Sequence, residues 1–300
     1  MRVVALVNYR AGTVEAAGKE PTPDSIAAAL KAVGVEAEVR SVPGEELAAQ
    51  ARAAANKGPD AIIAAGGDGT VSAVAGALAG GDTPLGVIPV GTLNHFAKDL
   101  GVPLDLNEAA AIIVANHVQR IDVGRVNDRV FVNNASLGVY ARALIDRDAR
   151  RDLHGLSKWP AMALAVLKIF KRHPLLKVRI VADGQPLYRK TPLVFIGNNC
   201  YELELLHIGK RACLTAGALS LYIANTSTRW GMLKLALRAA FGRLRQSQDF
   251  ESMTASEIEI QPHRRHIHLA LDGEPISLAP PLNFTTWPQA LPVLVPADRN

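Results

Sequence analysis

Cysteine is scarce in this chain, with only Cys200 and Cys213 among 300 residues and no metal-ligand spacing between them. A disulfide framework is therefore not expected, and a reduced, cytoplasmic setting fits better. Long apolar runs are also absent. The run over residues 3–7 is too short for a signal peptide, and the one over residues 161–167 falls far short of the roughly 20 residues that cross a bilayer. We therefore predict no transmembrane helix.

Aromatic residues are few as well, at 5%, and no interleaving of basic and aromatic side chains is evident, so nucleic acid is not an expected partner. Nothing resembles a Ser-His-Asp or Cys-His constellation. The chain is instead 49% hydrophobic and 20% charged, as in a globular protein, and it is long enough for about two domains. Its net charge of +5 suits an anionic partner without naming it. The oligomeric state cannot be read from the sequence.

Strand and helix signals alternate over residues 1–125. The predicted strands cover residues 2–8, 36–42, 61–65 and 85–90, and the predicted helices cover residues 24–33, 45–57, 71–79 and 107–116. Such alternation is typical of an α/β domain with a parallel sheet and helices on both faces.

The pattern changes over residues 126–284. Short predicted strands cover residues 129–133, 176–182, 193–196, 220–224, 257–261 and 266–271, interrupted by helical segments near 158–171 and 229–245. This pattern favours a second, mostly antiparallel domain, a β-sandwich. Residues 285–300 form a proline-rich tail, for which packing back on the first domain is one interpretation.

The most informative motif directly follows the apolar run over residues 61–63. It comprises Gly66, Gly67, Asp68, Gly69 and Thr70, and we call it the first glycine motif. Glycines let the backbone approach a ligand closely and turn its N–H groups toward phosphate oxygens, while a helix N-terminus just beyond adds positive charge. Asp68 would suit a phosphate-bound Mg²⁺, which prefers oxygen ligands. The motif is neither Walker A nor the Rossmann fingerprint, and a tight strand-to-helix turn is the alternative interpretation.

A second glycine motif covers residues 89–97, which read Pro-Val-Gly-Thr-Leu-Asn-His-Phe-Ala. It places Gly91, Thr92 and Asn94 at the end of another apolar run. Two such turns on neighbouring parallel strands would line one crevice at the carboxyl ends of the strands, where ligands of such sheets bind. The alternative is a proline-shaped loop in which Asn94 caps a helix. The two motifs together are much more specific than either is alone.

This pair of motifs resembles the diacylglycerol kinase catalytic-domain family, which includes bacterial lipid kinases and the sphingosine and ceramide kinases. Later landmarks match in order over nearly the whole chain: residues 122–124 (Asp-Val-Gly), 133–138 (Asn-Asn-Ala-Ser-Leu-Gly), 197–199 (Gly-Asn-Asn) and 271–275 (Leu-Asp-Gly-Glu-Pro). The resemblance implies an α/β domain of the NAD kinase and diacylglycerol kinase type, a β-sandwich, bound MgATP and phosphorylation of a lipid hydroxyl.

The resemblance also implies nucleotide contacts, position by position. The implied ATP contacts are Asn8, Gly12, Ser41, Gly66, Gly67, Asp68, Gly69, Thr70, Val71, Ser72, Gly91, Thr92 and Asn94. Asn8 and Gly12 stand where the family has an Asn-Pro nucleotide loop. Tyr9 replaces the proline here, so whether this altered loop weakens ATP binding is an open question at this point.

Asp272, Gly273 and Glu274, which we call the acidic turn, are the candidate catalytic residues. Glu274 matches the proton acceptor of the family, with Asp272 beside it. Phosphoryl transfer needs a group that takes the proton of the attacking hydroxyl, and a carboxylate within hydrogen-bond reach can serve. An ordinary Asp-Gly hairpin turn is the alternative interpretation of the same residues.

One stretch departs from the family, which often holds a structural Mg²⁺ with an Asp-Gly-x-Leu-Asp-like sequence. The corresponding residues 215–220 read Thr-Ala-Gly-Ala-Leu-Ser and contain no carboxylate. We therefore predict that this structural metal site is absent or weak and that Mg²⁺ arrives with ATP.

Residues 229–245 suit contact with an anionic membrane. The segment carries five basic residues and no acid, and apolar residues recur at helical spacing: Trp230, Leu233, Leu237, Phe241 and Leu244. A basic amphipathic helix with an interfacial tryptophan can lie on an anionic bilayer. The alternative is a helix that packs its apolar stripe on the sandwich and leaves a solvated basic face.

These observations predict a cytoplasmic, peripherally membrane-associated lipid kinase that transfers the γ-phosphate of MgATP to diacylglycerol or a related lipid. Two alternatives stay open at this point: a small-molecule kinase of the NAD kinase type, and a non-catalytic protein that binds nucleotide or lipid. The acceptor lipid cannot be read from the sequence.

Overall fold

The computed structural model describes residues 1–8, 21–148, 175–200, 213–240, 246–263 and 266–297. Gly12 and the predicted helix near residues 158–171 lie outside the described residues. The chain divides into two compact units. We call Met1–Val123 with Trp287–Asn300 the α/β unit, and Gly124–Thr286 the sandwich unit.

A parallel sheet forms the centre of the α/β unit, with strand order β2-β1-β3-β4. The strands are β1 (Arg2–Val7), β2 (Glu36–Ser41), β3 (Ala61–Gly66) and β4 (Leu85–Pro89). The helices are α1 (Pro23–Ala32), α2 (Leu47–Ala55), α3 (Asp68–Leu78), α4 (His95–Leu100) and α5 (Leu106–Ala115). Strands β3 and β4 are buried along their whole length, so their sequences read as continuous apolar runs.

Local capping sets where the helices begin. The Thr22 side chain accepts the N–H of Ser25 at the start of α1, and Asp105 does the same for two N–H groups of α5. Two predicted helix boundaries were wrong. Helix α3 begins at Asp68 instead of residue 71, because Gly67 adopts the extended conformation of an N-cap. Helix α2 begins at Leu47, after a 3₁₀ turn over Gly44–Glu46.

The proline-rich end of the chain includes most of a long strand, and residues 287–300 belong to the α/β unit. Strand β16 (Leu282–Leu294) runs from the sandwich unit into the α/β unit, and it pairs with β5 (Val118–Val126), which also spans both. Val293 lies opposite Leu85 of β4. Gln289 has φ of 50°, and its N–H is accepted by the buried Asp122 carboxylate at 2.8 Å.

Two antiparallel sheets form the sandwich unit. The first continues from β16 through β13 to β8 and β9, and the second has the order β12-β11-β10-β7-β14-β15. The remaining strands are β6 (Arg129–Phe131), β7 (Asn134–Gly138), β8 (Leu176–Ala182), β9 (Gln185–Thr191), β10 (Leu193–Asn198), β11 (Leu219–Ala224), β12 (Phe250–Ala255), β13 (Glu257–Pro262), β14 (Ile267–Leu271) and β15 (Glu274–Leu278). This confirms the predicted fold class of an α/β domain with a β-sandwich.

The core of the sandwich unit lies between its two sheets. Inward-facing residues alternate along strands such as β8, and Phe131 meets Phe284 edge to face with ring centroids 6.4 Å apart. The helices that the structure describes in this unit are α6 (Val139–Asp148), α7 (Arg229–Ala240) and α8 (Gln246–Asp249). None of the helices that the structure describes has the length and apolar character of a bilayer crossing.

Candidate active site

The two glycine motifs meet at the carboxyl edge of the parallel sheet. Pairing aligns Val7 with Ser41 and with Ala65, and Gly66 with Pro89, so β1, β2, β3 and β4 end at the same level. Asn8 and Ser41 therefore lie at the same edge as both motifs. This edge of an open parallel sheet is where α/β proteins bind their ligands.

Gly67 and Gly91 bring the two motifs into backbone contact. A Cβ atom on Gly91 would lie 2.5 Å from the Cα of Gly67 and 2.8 Å from the Oδ1 of Asn94. No side chain fits at that distance, so glycine is required for the close approach. The result is a patch of bare backbone at the strand ends, with the start of α3 beside it.

Thr70 links the first glycine motif to β1. Its side chain fills the space beside Gly66, where a Cβ would clash with Thr70 Oγ1. The Nδ2 of Asn8 donates to the same Oγ1 at 3.2 Å. Asn8 thereby connects the end of β1 to the first turn of α3.

Asp68 connects the two motifs by a hydrogen bond, and Asn94 holds the second motif together. The Oδ1 of Asp68 accepts the N–H of Phe96 at 3.2 Å, across 28 residues of chain. Asn94 adopts φ of 51° and bonds both backbone groups of Gly91, through Oδ1 at 3.0 Å and Nδ2 at 2.6 Å. Its side chain therefore closes its own turn and does not cap α4, which corrects the helix-cap interpretation.

The acidic turn is a hairpin between β14 and β15. Asp272 and Gly273 have φ of 49° and 85°, and Leu271 pairs with Glu274 across them. Asp-Gly with two positive φ values is the preferred two-residue connection of a hairpin. The hairpin interpretation is therefore correct for the backbone. Glu274 is the first residue of β15, and its side chain is exposed.

Asp272 is buried and its carboxylate is fully engaged. Its two oxygens accept the backbone N–H groups of Val132, Asn133 and Asn134 at 2.8, 2.7 and 3.0 Å. The Asp272 N–H in turn donates to the Asn134 carbonyl at 2.8 Å. The Asp272 carboxylate therefore fixes the loop over residues 132–134. Glu274 follows Asp272 by two residues in the same turn.

Two buried asparagines lie next to this network, and neither was predicted to have a structural or catalytic role. Asn198 donates from Nδ2 to the Val132 carbonyl at 3.1 Å, on the far side of the loop that Asp272 holds. Asn199 accepts the Ala216 N–H at 2.8 Å, and the Ser220 hydroxyl donates to the Asn199 carbonyl at 2.6 Å. Both residues belong to the Gly-Asn-Asn sequence at 197–199, which was the signal available in the sequence. In the structure Asn199 has a positive φ of 66°.

Comparisons with known proteins show the family of this chain. A sequence model of the diacylglycerol kinase catalytic domain matches residues 2–126, and one of the YegS C-terminal NAD kinase beta sandwich-like domain matches residues 133–295. A diacylglycerol kinase of Mycobacterium tuberculosis is 31% identical over 252 residues, which are 81% of this chain and 79% of that protein. The chain belongs to the diacylglycerol kinase family.

More distant members of the family show the same fold. A diacylglycerol kinase of Staphylococcus aureus is 27% identical over 256 residues, covering 83% of this chain and 78% of that protein. A crystal structure of a diacylglycerol kinase from Bacillus anthracis superposes with a TM-score of 0.69 at 22% identity, covering 99% of this chain and 97% of the other. The chain is therefore a member of a kinase family, with the fold of that family.

Residues 215–220, where the family resemblance implied a structural metal, hold no carboxylate in this family member. The loop is tied to Asn199 through the Ala216 N–H and the Ser220 hydroxyl. Neutral amide and hydroxyl groups are a weak donor set for Mg²⁺, which prefers carboxylates and water. The residues present do not fit that metal, so its absence stays our prediction.

Proposed function

We propose that this protein is an ATP-dependent lipid kinase that transfers the γ-phosphate of MgATP to a hydroxyl of diacylglycerol or a related lipid. The observation that carries the proposal is the backbone contact between Gly67 and Gly91 at the carboxyl edge of the sheet. Membership in the diacylglycerol kinase family supports the reaction class. Bound MgATP would supply the phosphoryl group.

The glycine motifs fit a phosphate-bearing ligand. The bare backbone around Gly67 and Gly91 allows close approach, and no side chain caps the N-terminus of α3. First-turn N–H groups and the helix dipole favour an anion there. We assign nucleotide contacts to Asn8 and Ser41, and to residues 66–72, 91, 92 and 94, all of which lie at or next to this edge.

Asp68 is the residue we assign to the magnesium ion of MgATP. Its Oδ1 is fixed by the Phe96 N–H, which orients the carboxylate without neutralising its charge. A carboxylate held in this way is a suitable ligand for a hard cation. Asp68 would hold the Mg²⁺ that arrives with ATP, and that ion would offset the negative charge of the phosphates.

Glu274 is the residue we assign as the base for the lipid hydroxyl. Its exposed carboxylate can accept a proton from an alcohol at hydrogen-bond distance. Asp272, whose carboxylate is already bound to three N–H groups, acts by holding the acidic turn in place. In this proposal Glu274 accepts the proton, and Asp272 holds Glu274 in position.

We further propose that the enzyme acts in the cytoplasm, at the surface of an anionic membrane that contains its acceptor. The excess of basic residues supports an anionic surface as the partner. A lipid with a polar hydroxyl presents that group at the interface, where a peripheral protein can reach it.

A phosphate-transfer assay tests the proposal. Radiolabelled ATP is offered with diacylglycerol, a sphingoid base, phosphatidylglycerol and NAD in parallel, each with Mg²⁺. We expect label in a lipid product. Glu274→Gln should lower turnover by about 10²- to 10⁴-fold, because it removes the proton acceptor. Asp68→Asn should lower it by a similar order, because it keeps the oxygen that binds Phe96 and removes the charge.

Glu36→Gln, which changes an exposed carboxylate on β2, is the control and should keep wild-type turnover. Melting temperatures of all variants should match that of the wild type. Label in NAD alone, or ATP binding without any labelled product, would contradict the proposed function. Wild-type turnover in Glu274→Gln would overturn the role of that residue.

A further inference from the structure

Helix α7 presents two different apolar faces. Met232, 3% exposed, faces inward, and Leu235 packs against the buried cluster of Phe195, Tyr222, Ala224 and Phe250 on the second sheet. Trp230 and Leu237 are 72% and 43% exposed. Residues 230, 233, 234 and 237 share one side of a helix because they are three or four apart. We call Trp230, Leu233, Lys234 and Leu237 the outer face of α7.

This arrangement differs from a helix that packs its whole apolar stripe on the sandwich. Trp230 and Leu237 of that stripe are exposed, and a separate pair, Met232 and Leu235, packs the helix onto the sandwich unit. Phe241 and Leu244 lie outside the described residues. Large apolar side chains that stay exposed next to one another mark an interaction surface.

Two acids near α7, among the residues that the structure describes, are paired with arginines. Arg238 donates to Asp249 at 2.6 Å, so this cation anchors the helix and does not contribute to the outer face. Arg189 binds both oxygens of Glu251 at 2.8 Å. Both of these acids are thus neutralised within the sandwich unit.

Exposed cations remain along α7 and next to its start. Arg229 and Lys234 are exposed on the helix itself. A depression of about 210 Å³ brings exposed Lys190 together with Ser227, two residues before the helix begins. An exposed tryptophan flanked by such cations has the composition of an interfacial helix.

We propose that α7 docks this protein on an anionic lipid bilayer, with the outer face inserted at the level of the headgroups. Trp230 and Leu237 enter the interface, while Lys234 contacts anionic headgroups. Met232 and Leu235 keep the helix attached to the sandwich unit, so docking fixes the orientation of that unit. The inference rests on the proposed function, which requires access to an acceptor in a bilayer.

Vesicle flotation tests this inference with matched pairs of variants. Leu237→Ala is compared with Leu104→Ala, a 55% exposed leucine of the α/β unit. Lys234→Gln is compared with Lys31→Gln, an exposed lysine of α1. The vesicles are phosphatidylcholine alone, or phosphatidylcholine mixed with phosphatidylglycerol, at low and high salt.

The wild type should float with the anionic vesicles and less so with the neutral ones or at high salt. Lys234→Gln and Leu237→Ala should each weaken partitioning about fivefold, and Trp230→Ala about tenfold. Both control variants should bind like the wild type. Equal binding to neutral and anionic vesicles, no binding at all, or wild-type binding by Trp230→Ala would overturn the inference.

Activity on a short-chain, water-dispersed diacylglycerol separates this inference from the proposed function. Trp230→Ala should phosphorylate that substrate at the wild-type rate, because no bilayer has to be bound. If the wild type phosphorylates it but the outer-face variants bind vesicles normally, only the docking inference fails. If the vesicle results hold but no lipid is phosphorylated, only the proposed function fails.

Discussion

The glycine motifs of the α/β unit and the acidic turn of the sandwich unit are both polar turns at strand ends, but they are held in opposite ways. Gly67 and Gly91 touch because side chains are missing there. The acidic turn is fixed by a side chain, because the Asp272 carboxylate takes three backbone N–H groups. The first region lacks side chains where its two turns touch, whereas in the second region one side chain binds three backbone N–H groups.

This difference suits the glycine motifs to binding a ligand and the Asp272 carboxylate to positioning a neighbouring residue. Bare backbone at the end of a parallel sheet suits a ligand that brings its own negative charge. The Asp272 carboxylate is occupied by three backbone N–H groups, so it fixes the loop that it binds and the turn in which it lies. Glu274 is exposed two positions away from Asp272, so the two acids of one turn are suited to different tasks.

Removing the buried carboxylate should give the largest effect on stability. Asp272→Ala leaves three N–H groups in residues 132–134 without their acceptor, and each unsatisfied buried donor costs about 1–3 kcal/mol. We expect the free energy of unfolding to fall by about 3 kcal/mol or more, measured by urea denaturation.

Asp183→Ala is the matched control for Asp272→Ala. Asp183 also accepts backbone N–H groups, from Ser256 and Glu257, but it is exposed, so water can replace the lost acceptor. Its effect on unfolding should be much smaller. If both variants lost the same free energy of unfolding, burial of Asp272 would not matter. The contrast between the glycine motifs and the acidic turn would then fail.

A smaller loss of stability is expected for a partly exposed ion pair that joins the two sheets of the sandwich unit. Arg189 of β9 binds both oxygens of Glu251 on β12, and its hydrogen bonds hold the pKa of that carboxyl below the ordinary value, against the effect of partial burial. Both side chains are about a third exposed, so Glu251→Gln should cost only about 0.5 kcal/mol at neutral pH.

The pH dependence of that cost has a definite sign. Since the folded-state pKa of Glu251 is depressed, its contribution is complete above the unfolded value of about 4.3 and is lost as the pH falls through the lower folded-state value. The difference between wild type and Glu251→Gln in urea unfolding should therefore shrink below about pH 4. A difference that grew on acidification would contradict this.

Much of the α/β unit could be predicted from the sequence because its signals are local. Apolar runs ending in glycine marked β3 and β4, and the start of α3 was missed by three residues only because Gly67, and no polar side chain, occupies the cap. Strand β16 was missed for a different reason. Its prolines suggest a tail, and its pairing depends on strands far away in sequence.

The role of Asp272 also could not be read from spacing. The sequence placed two acids in one turn and gave both a catalytic role, since nothing local distinguishes them. The three N–H groups that engage Asp272 come from residues about 140 positions earlier. Similarly, only the packing of α7 shows which of its apolar residues face outward and that Arg238 is paired internally.

The most direct test of the central claim is an isothermal titration of MgATP into Gly91→Ala. A methyl group there would lie 2.5 Å from Gly67 Cα, whereas one on Gly44 would meet only Asn8 Nδ2 at an ordinary 3.6 Å. We predict micromolar-to-millimolar binding by the wild type and by Gly44→Ala, and a loss of at least about tenfold in Gly91→Ala. Undiminished binding by a folded Gly91→Ala protein would contradict the claim that the two glycine motifs form the nucleotide site.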